Sequence, residues 1–244
     1  MTVERIGKDS AIPIGYNHAR YETQRRILRF LLKNIGFTLL AKLDSVDGIE
    51  NIPASGPALL MINHIALIDP IVVLHLVPRN IIPLAKREVY DYPIVGIIPK
   101  IWKVIPVRRE EIDRRAVQQV MEVLGAGEIV LVAPEGTRSP QLQVGKEGIA
   151  YLASRGQVPV IPVAIDGTIG FPALRYTGAW REAGARIRFG KPFQYRPEYR
   201  HAGRDQLRRM TDEAMYILAG MLPEYRRGVY ANLTKATQET LEWV

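Results

Sequence analysis

The chain has 244 residues, 47% of them hydrophobic, which is enough for one sizeable α/β domain or for one domain with a small appendage. The absence of cysteine excludes disulfides, thiolate metal sites and acyl-cysteine intermediates. Thirty-three basic and 25 acidic residues give a net charge of +8, which favours an anionic partner: nucleic acid, anionic lipid or a phosphorylated small molecule.

The absence of several sequence motifs excludes some classes of ligand and partner. No histidine pair has zinc-ligand spacing with a nearby carboxylate, so we expect no metal. Neither zinc-finger spacing nor an aromatic RNP pattern occurs, so we expect no nucleic-acid partner. The N-terminus is polar, unlike a signal peptide, and no run approaches the roughly 20 apolar residues of a membrane-spanning helix. We therefore expect the protein in the cytosolic compartment.

Residues 23–43 carry an amphipathic pattern. On a helix with about 100° per residue, four basic residues fall within one arc and four aliphatic residues share the opposite side. These are Arg25, Arg26, Arg29 and Lys33 against Ile27, Leu28, Leu31 and Ile35. The pattern suits a helix lying in a membrane interface, and equally a surface helix that covers the core. Gly36 is a candidate end or kink, followed by a second short helix over 37–43.

From residue 57 onwards, short apolar runs that indicate buried strands alternate with amphipathic runs that indicate helices. The strands are ALLMIN, NIIPLAK, KVIPV, EIVLVAP, VPVIPVAI and ARIRFGKPF. The helices are DPIVVLHLV, EEIDRRAVQQVMEVLGAG, GKEGIAYLASRG and RDQLRRMTDEAMYILAGML. Glu110, Glu111 and Asp113 are expected in the first turn of the second helix, and Gly156 at the end of the third.

This alternation predicts an α/β fold, with a mixed, largely parallel sheet flanked by helices. We assign residues 1–44 to an N-terminal helical segment and residues 45–244 to the α/β domain. In such sheets, binding residues gather on the loops beyond the strand ends. Three predicted strands are followed by polar groups there: His64, the pair Arg108 and Arg109, and the segment Pro134–Ser139.

His64 and Asp69 lie five positions apart in the stretch NHIALIDP. A neutral imidazole can take a proton from an alcohol, and a carboxylate on its other nitrogen fixes the tautomer. No G-x-S-x-G elbow occurs, so the nucleophile would be a substrate hydroxyl. The simpler alternative is that Asp69 caps a helix beginning at Pro70 and that His64 is incidental.

Arginines near such a pair indicate an anionic acceptor. Arg109 and Arg138 could grip one phosphate from two loops, and backbone N–H groups around Gly136 could approach it closely. Glu135 could anchor the loop or bind a substrate hydroxyl. Each has a plainer alternative, since the arginines could be solvated charge and PEGT an ordinary turn.

The order of four blocks resembles the glycerolipid acyltransferases of the 1-acylglycerol-3-phosphate acyltransferase type. NHIALIDP is similar to the N-H-x-x-x-x-D block, KVIPVRR to a block that ends in arginine, APEGTRS to F-P-E-G-T-R-S, and VPVIPVAI to a block whose proline matches Pro162. The resemblance covers about residues 45 to 195, and the first and third blocks are the specific ones. The sequence departs from the family at Arg108 and at Ala133, neither of which touches the His–Asp pair.

The resemblance implies acyl transfer from an acyl-CoA or acyl carrier protein thioester to the free hydroxyl of a lysophospholipid, foremost lysophosphatidic acid to phosphatidic acid. His64 would be the general base and Asp69 its orienting partner, with no metal and no cofactor beyond the thioester co-substrate. The acceptor's glycerol phosphate would be bound by Arg109, Glu135, Gly136, Thr137 and Arg138. Pro162 would belong to the wall near the acyl donor.

An enzyme with a bilayer substrate also needs a membrane surface as partner, so the resemblance favours residues 1–44 as a membrane-docking segment. We expect peripheral, monotopic attachment at the cytoplasmic face. Two alternatives remain open. The acceptor could be glycerol 3-phosphate, another lysophospholipid or a lyso-aminolipid, or the protein could be a catalytically silent, basic membrane-binding protein.

Overall fold

The computed structural model describes residues 18–32, 34, 41–93, 96–108, 113–175 and 177–244. The helices in these ranges are α1 (Glu22–Leu31), α2 (Asp69–Leu76), α3 (Ile97–Trp102), α4 (Arg114–Gly125), α5 (Gly148–Gly156) and α6 (Arg204–Met221). The strands are β1 (Leu43–Asp47), β2 (Ala58–Ile62), β3 (Ile81–Lys86), β4 (Ile105–Val107), β5 (Ile129–Val132), β6 (Val160–Asp166), β7 (Ala185–Phe189), β8 (Phe193–Tyr195) and β9 (Leu241–Trp243).

These strands form one sheet in the order β1-β7-β6-β2-β5-β3-β4. The run from β6 through β2, β5 and β3 to β4 is parallel throughout. β7 is antiparallel to β6 and parallel to β1, while β8 pairs antiparallel with both β6 and β9. The prediction of a mixed, largely parallel sheet flanked by helices is therefore confirmed.

The central strands are apolar on both sides because helices cover both faces of the sheet. In β2, Leu59 and Met61 join one apolar cluster with α4, α5 and α6, while Leu60 and Ile62 join a second cluster with α2. All four side chains are almost completely buried. Because both faces of these strands are buried, their sequences are continuous apolar runs.

Some predicted boundaries are wrong by a few residues. α4 begins at Arg114, with Asp113 as the N-cap residue accepting from the backbone N–H of Ala116 at 3.0 Å. Glu110 and Glu111 lie outside the described residues. The predicted end of α5 at Gly156 is confirmed, and the left-handed C-cap residue is Gln157. The predicted strand ARIRFGKPF is two strands, β7 and β8, because its antiparallel pairing with β6 is interrupted at residues 190–192 and resumes at Phe193.

Three elements have no counterpart in the predicted set. β1 begins at Leu43, so this strand crosses the proposed boundary between the N-terminal segment and the α/β domain at residue 44. That domain boundary stays a prediction. β9 closes the C-terminal edge, and α3 lies in the apolar stretch after β3. α3 is held to the sheet by Trp102, whose indole N–H donates to the carbonyl of Ile81 at 2.9 Å.

The N-terminal helix is oriented differently from the expected pattern. Arg25 is fully buried rather than exposed, and its Nε donates to the carbonyl of Trp102 at 2.9 Å, at the C-terminal end of α3. The side chains of Ile27, Phe30 and Leu31 are instead exposed. A buried guanidinium is tolerated here because the end of a helix leaves unpaired carbonyls that need donors. Lys33, Ile35, Gly36 and residues 37–40 lie outside the described residues.

Across the described part of the chain, no helix has the length and apolar character needed to cross a bilayer.

Replacing Arg25 with alanine tests this anchor. Arg25→Ala should lower the free energy of unfolding by about 2 kcal/mol or more, because it leaves the buried carbonyl of Trp102 without its donor. Chemical denaturation of both proteins measures the difference. The matched control is Arg26→Ala, which removes an exposed arginine one position away and should cost about 0.5 kcal/mol or less. Equal effects of the two substitutions would contradict the anchor.

Candidate active site

His64 and Asp69 meet at the carboxyl end of β2. The strand ends at Ile62, a short loop follows, and α2 begins at Asp69 with Pro70 in its first turn. His64 Nδ1 lies 2.9 Å from Asp69 Oδ2, and the two side chains are 18% and 0% exposed. The imidazole thus reaches solvent, while the carboxylate behind it does not.

Asp69 accepts from donors on two parts of the chain, the loop before α2 and the segment after β6. Oδ2 also receives the backbone N–H groups of Ile65 and Ala66, each at 2.7 Å. Oδ1 receives the hydroxyl of Thr168 at 2.6 Å. The expected helix cap is wrong: these N–H groups belong to the loop before α2, and no side chain caps the helix. Asp69 therefore shapes the loop that carries His64.

Asn63 fixes the start of the same loop. Its side-chain amide donates to the carbonyl of Ile165 and accepts from the N–H of Ile165, both at 2.8 Å. The amide thereby continues the β2–β6 ladder for one more step past the end of β2. Because Asn63 is buried and paired on both atoms, the backbone at His64 is held in place.

The segment Pro134–Ser139 follows β5 and joins His64 through the backbone. Ser139 N–H donates to the carbonyl of His64 at 2.8 Å. Glu135 Oε1 accepts from the N–H of His64 at 3.3 Å, and Oε2 accepts from the N–H of Gln143 at 2.8 Å. Glu135 is only 4% exposed, so its geometry suits the loop-anchoring role that the sequence left open.

The carboxyl group of Glu135 is buried in an environment that disfavours its charged form. Burial raises its pKa to about 7 from 4.5, although the N–H groups of Gln143 and His64 act in the opposite direction. The charge of Asp69 raises it further.

The outer side of this loop is polar and exposed. Gly136 has a positive φ of 68°, and a Cβ added there would lie 3.3 Å from Lys146 Cε. Thr137 and Arg138 are exposed beside it. Lys146 and Arg138 thus place two cations near the loop, and Lys146 is brought there by the hydrogen bond from its N–H to the carbonyl of Pro134 at 2.9 Å.

The structure does not place the other two predicted site residues, Arg109 and Pro162, beside His64 in the same way. Arg109 lies outside the described residues; β4, which precedes it, is three strand positions from β2, or about 14 Å. Pro162 is buried within β6, where its carbonyl accepts from Gly190 at 2.8 Å. Its neighbours Ile161 and Val163 face the α2 side of the sheet. Since side chains alternate along a strand, Pro162 faces the opposite side, where α6 packs, away from His64. Both assignments stay predictions.

Sequence reasoning missed three polar residues at this site: Asn63, Lys146 and Thr168. Asn63 belongs to the NHIALIDP block and Lys146 to the start of a predicted helix, and neither pattern predicts a role at the site. Thr168 comes two residues after β6 and so follows a strand end, as His64 does. That position is the one signal that could have identified it.

Among the described residues, no cluster of three or more His, Asp or Glu side chains could hold a metal ion.

Comparison with known proteins gives one family model, described as Acyltransferase, which matches residues 45–166. A 1-acyl-sn-glycerol-3-phosphate acyltransferase of Borreliella burgdorferi is 32% identical over 130 residues, covering 52% of this chain and 52% of that protein. The human 1-acyl-sn-glycerol-3-phosphate acyltransferase alpha is 28% identical over 161 residues, covering 64% and 56% respectively. The chain spans about half the length of the curated relatives it matches.

The chain is also similar to a solved structure. The 1-acyl-sn-glycerophosphate acyltransferase PlsC of Thermotoga maritima superposes with a TM-score of 0.57 at 26% identity, over 80% of this chain and 79% of that one.

Glu135→Gln tests the buried carboxyl group. Between pH 4.5 and about pH 7 the unfolded chain has released the proton of Glu135 while the folded protein retains it. The unfolded state binds fewer protons there, so the free energy of unfolding should fall with rising pH, by about 3 kcal/mol in total. Denaturation at a series of pH values measures this, and the variant should lack that part of the slope. Glu182→Gln, at an exposed position, is the control; parallel curves for wild type and Glu135→Gln would contradict the prediction.

Proposed function

The chain belongs to the acyltransferase family, and we propose that it transfers a fatty acyl group from a thioester to the free hydroxyl of a lysophospholipid. The proposed acceptor is 1-acylglycerol 3-phosphate and the product phosphatidic acid. The names of the curated relatives and of the Thermotoga maritima enzyme support this acceptor. The thioester, of coenzyme A or of acyl carrier protein, is the co-substrate, and the proposed steps use no further cofactor.

The contact between His64 and Asp69 carries the proposal. With Nδ1 donating to the carboxylate at 2.9 Å, the lone pair of the neutral ring is on Nε2. Nε2 can then accept a proton from a substrate hydroxyl, and the buried carboxylate stabilises the imidazolium that forms. The partial exposure of His64 lets a substrate reach the ring.

The proposed reaction proceeds in two steps. The acceptor hydroxyl oxygen attacks the thioester carbonyl carbon while His64 Nε2 takes the hydroxyl proton. The tetrahedral intermediate then collapses, the carbon–sulfur bond breaks, and the leaving thiolate receives the proton from His64. A new ester and a free thiol result, and the base returns to its neutral form.

The loop after β5 is the proposed binding site for the acceptor's phosphate. Arg138 and Lys146 supply positive charge beside Gly136, where the absent Cβ leaves the backbone accessible. Thr137 is exposed at the same loop and could donate its hydroxyl. Glu135 supports the loop from beneath through its two backbone N–H partners. Arg109 remains a proposed phosphate ligand on the basis of its sequence block.

A membrane lipid surface is the proposed partner, with peripheral attachment at the cytoplasmic face. The exposed Ile27, Phe30 and Leu31 of α1 support this, because an apolar helix surface can bury itself in the headgroup region of a bilayer. The net charge of +8 adds attraction to anionic lipid.

An activity assay with a base-deficient variant tests the proposal. Purified protein is incubated with acyl-CoA and 1-acylglycerol 3-phosphate, and thiol release and phosphatidic acid are both measured. We expect acceptor-dependent turnover that falls about 10²- to 10⁴-fold in His64→Ala, the usual contribution of a general base.

The control for this assay is His201→Ala, which removes an exposed histidine paired with Arg155 and should retain full activity. Turnover retained in His64→Ala would overturn the mechanism. Parallel assays with glycerol 3-phosphate, other lysophospholipids, a lyso-aminolipid and acyl carrier protein identify a different acceptor or donor. Silence with every pair would favour the catalytically silent membrane-binding protein.

A further inference from the structure

Two neighbouring helices expose apolar side chains. In α1, Ile27, Phe30 and Leu31 are 56%, 66% and 44% exposed. In α3, Ile97, Ile98 and Ile101 are 49%, 46% and 38% exposed. Large aliphatic residues gathered in this way on a surface mark a contact with lipid or with another protein.

The two sets face the same side of the molecule. α1 touches the end of α3, where Arg25 donates to the carbonyl of Trp102 and Gln24 to the carbonyl of Ile101. The inner sides of both helices contact the apolar cluster on the α2 face of the sheet: Trp102 is buried in it and Leu28, which is partly buried, packs against it. Since both inner sides point toward the sheet, both outer sides point away from it.

Basic side chains accompany this apolar surface. Arg26 on α1, Lys100 on α3 and Lys103 just after α3 are all exposed. Lys100 lies between the exposed isoleucines of α3, with Ile98 and Ile101 on either side in sequence. Positive charge among apolar side chains matches the chemistry of a bilayer that contains anionic lipid.

We infer that α3 and α1 together form one lipid-docking surface, defined by Ile27, Phe30, Leu31, Ile97, Ile98 and Ile101, for a bilayer containing anionic lipid. This role rests on the proposed function, whose acceptor is a membrane lipid. The proposed catalytic Asp69 begins α2, which lies on the same face of the sheet as α1 and α3. Docking through both helices turns that face toward the membrane, where a lysophospholipid would be presented. The mixture of lysines and arginines with the apolar groups favours lipid over a second copy of the chain, whose surface would carry the same positive charge.

Vesicle binding without any substrate tests the docking surface. The full chain is mixed with phosphatidylcholine vesicles that contain phosphatidylglycerol, and the bound fraction is measured by flotation. The double variant Ile98→Gln with Ile101→Gln should bind at least about tenfold more weakly, because it removes two apolar anchors from exposed positions. The control double variant, Val229→Gln with Val244→Gln, removes exposed apolar groups elsewhere and should bind as the wild type does.

Unchanged binding by the α3 variant, or an equal loss in the control, would overturn the role of α3. A wild type that is dimeric in solution, with an α3 variant that is monomeric, would instead assign the surface to self-association. Turnover on a short-chain, water-soluble acceptor is measured in parallel and should be unchanged in the α3 variant. Failure of the proposed function would appear as absent turnover in the wild type, independently of vesicle binding.

A second inference concerns the hydroxyl behind Asp69. Thr168 is fully buried, and its Oγ1 donates to Asp69 Oδ1 at 2.6 Å, while the other carboxylate oxygen serves His64, Ile65 and Ala66. Loss of this donor would leave a buried carboxylate oxygen without its hydroxyl partner and free the group to rotate. Thr168 lies two residues beyond the part of the chain that the family model matches.

The geometry points to Thr168 as a positioning residue for the proposed reaction, acting on His64 through Asp69. Thr168 donates to Asp69, Asp69 bonds to His64, and the charge of Asp69 acts in turn on Glu135. With one donor fewer, more of the charge of the carboxylate acts on the imidazole of His64. The acid limb of the pH–rate profile then moves to higher pH.

Thr168→Val keeps the shape of the side chain and removes only the hydroxyl. We expect kcat to fall about tenfold with little change in KM, and the acid limb to move up by about 1 pH unit. Thr168→Ser should restore both values. The matched control, Thr211→Val, removes a buried hydroxyl on α6 that donates to the carbonyl of Leu207, and it should leave the pH profile unmoved.

A Thr168→Val profile identical to that of the wild type would overturn the inference, as would an equal loss in Thr168→Ser. A fall in kcat without movement of the acid limb would assign Thr168 a packing role only. Because each readout compares variants with an active wild type, an inactive wild type would instead count against the proposed function.

Discussion

The buried carboxylate of Asp69 is the constraint on which the rest of the site depends. A charge without solvent contact persists in a folded protein only where hydrogen-bond donors surround it. Asp69 receives the two loop N–H groups, the imidazole of His64 and the hydroxyl of Thr168. Each donor is thereby fixed in turn, so the β2–α2 loop, the histidine ring and the chain after β6 are positioned by one group.

The order of the strands explains why these donors can meet. β2 lies between β5 and β6, and all three run parallel, so their carboxyl ends open on the same edge of the sheet. The loop after β5 brings Glu135 and Ser139 to the backbone of His64, and the chain after β6 brings Thr168 to Asp69. Most of these contacts use backbone atoms, so they set the position of the loops independently of which side chains face the substrate.

The sequence predicted the elements whose burial is encoded locally. β2, β5 and β6 are continuous apolar runs because both of their faces are covered, and α4 and α6 have one polar and one apolar side. β1 escaped prediction because LDSVD is short and half-exposed, and α3 because Pro99 and its apolar neighbours in IIPKIW do not show a helical period.

At the site, the sequence predicted His64, Asp69 and the PEGTRS loop as candidates, since strand ends and charged groups coincide there. It could not identify the environment of each side chain. The burial of Arg25 depends on a carbonyl 77 positions away, and that of Thr168 on a carboxylate 99 positions away. Glu135 has the residue type of a ligand, and only its two backbone partners reveal it as a support for the loop.

The hydrogen bonds of the site join residues that are far apart in sequence, and this affects how the protein folds during synthesis. The bond between His64 and Glu135 spans 71 positions and that between Asp69 and Thr168 spans 99. Contacts this distant in sequence form slowly, because a long segment must be ordered before they contribute. A nascent chain on the ribosome therefore exposes β2 and its histidine loop well before β5 and β6 have been synthesised. During that interval the apolar faces of β2 are uncovered, so this strand is open to non-native association until β5 and β6 pair with it.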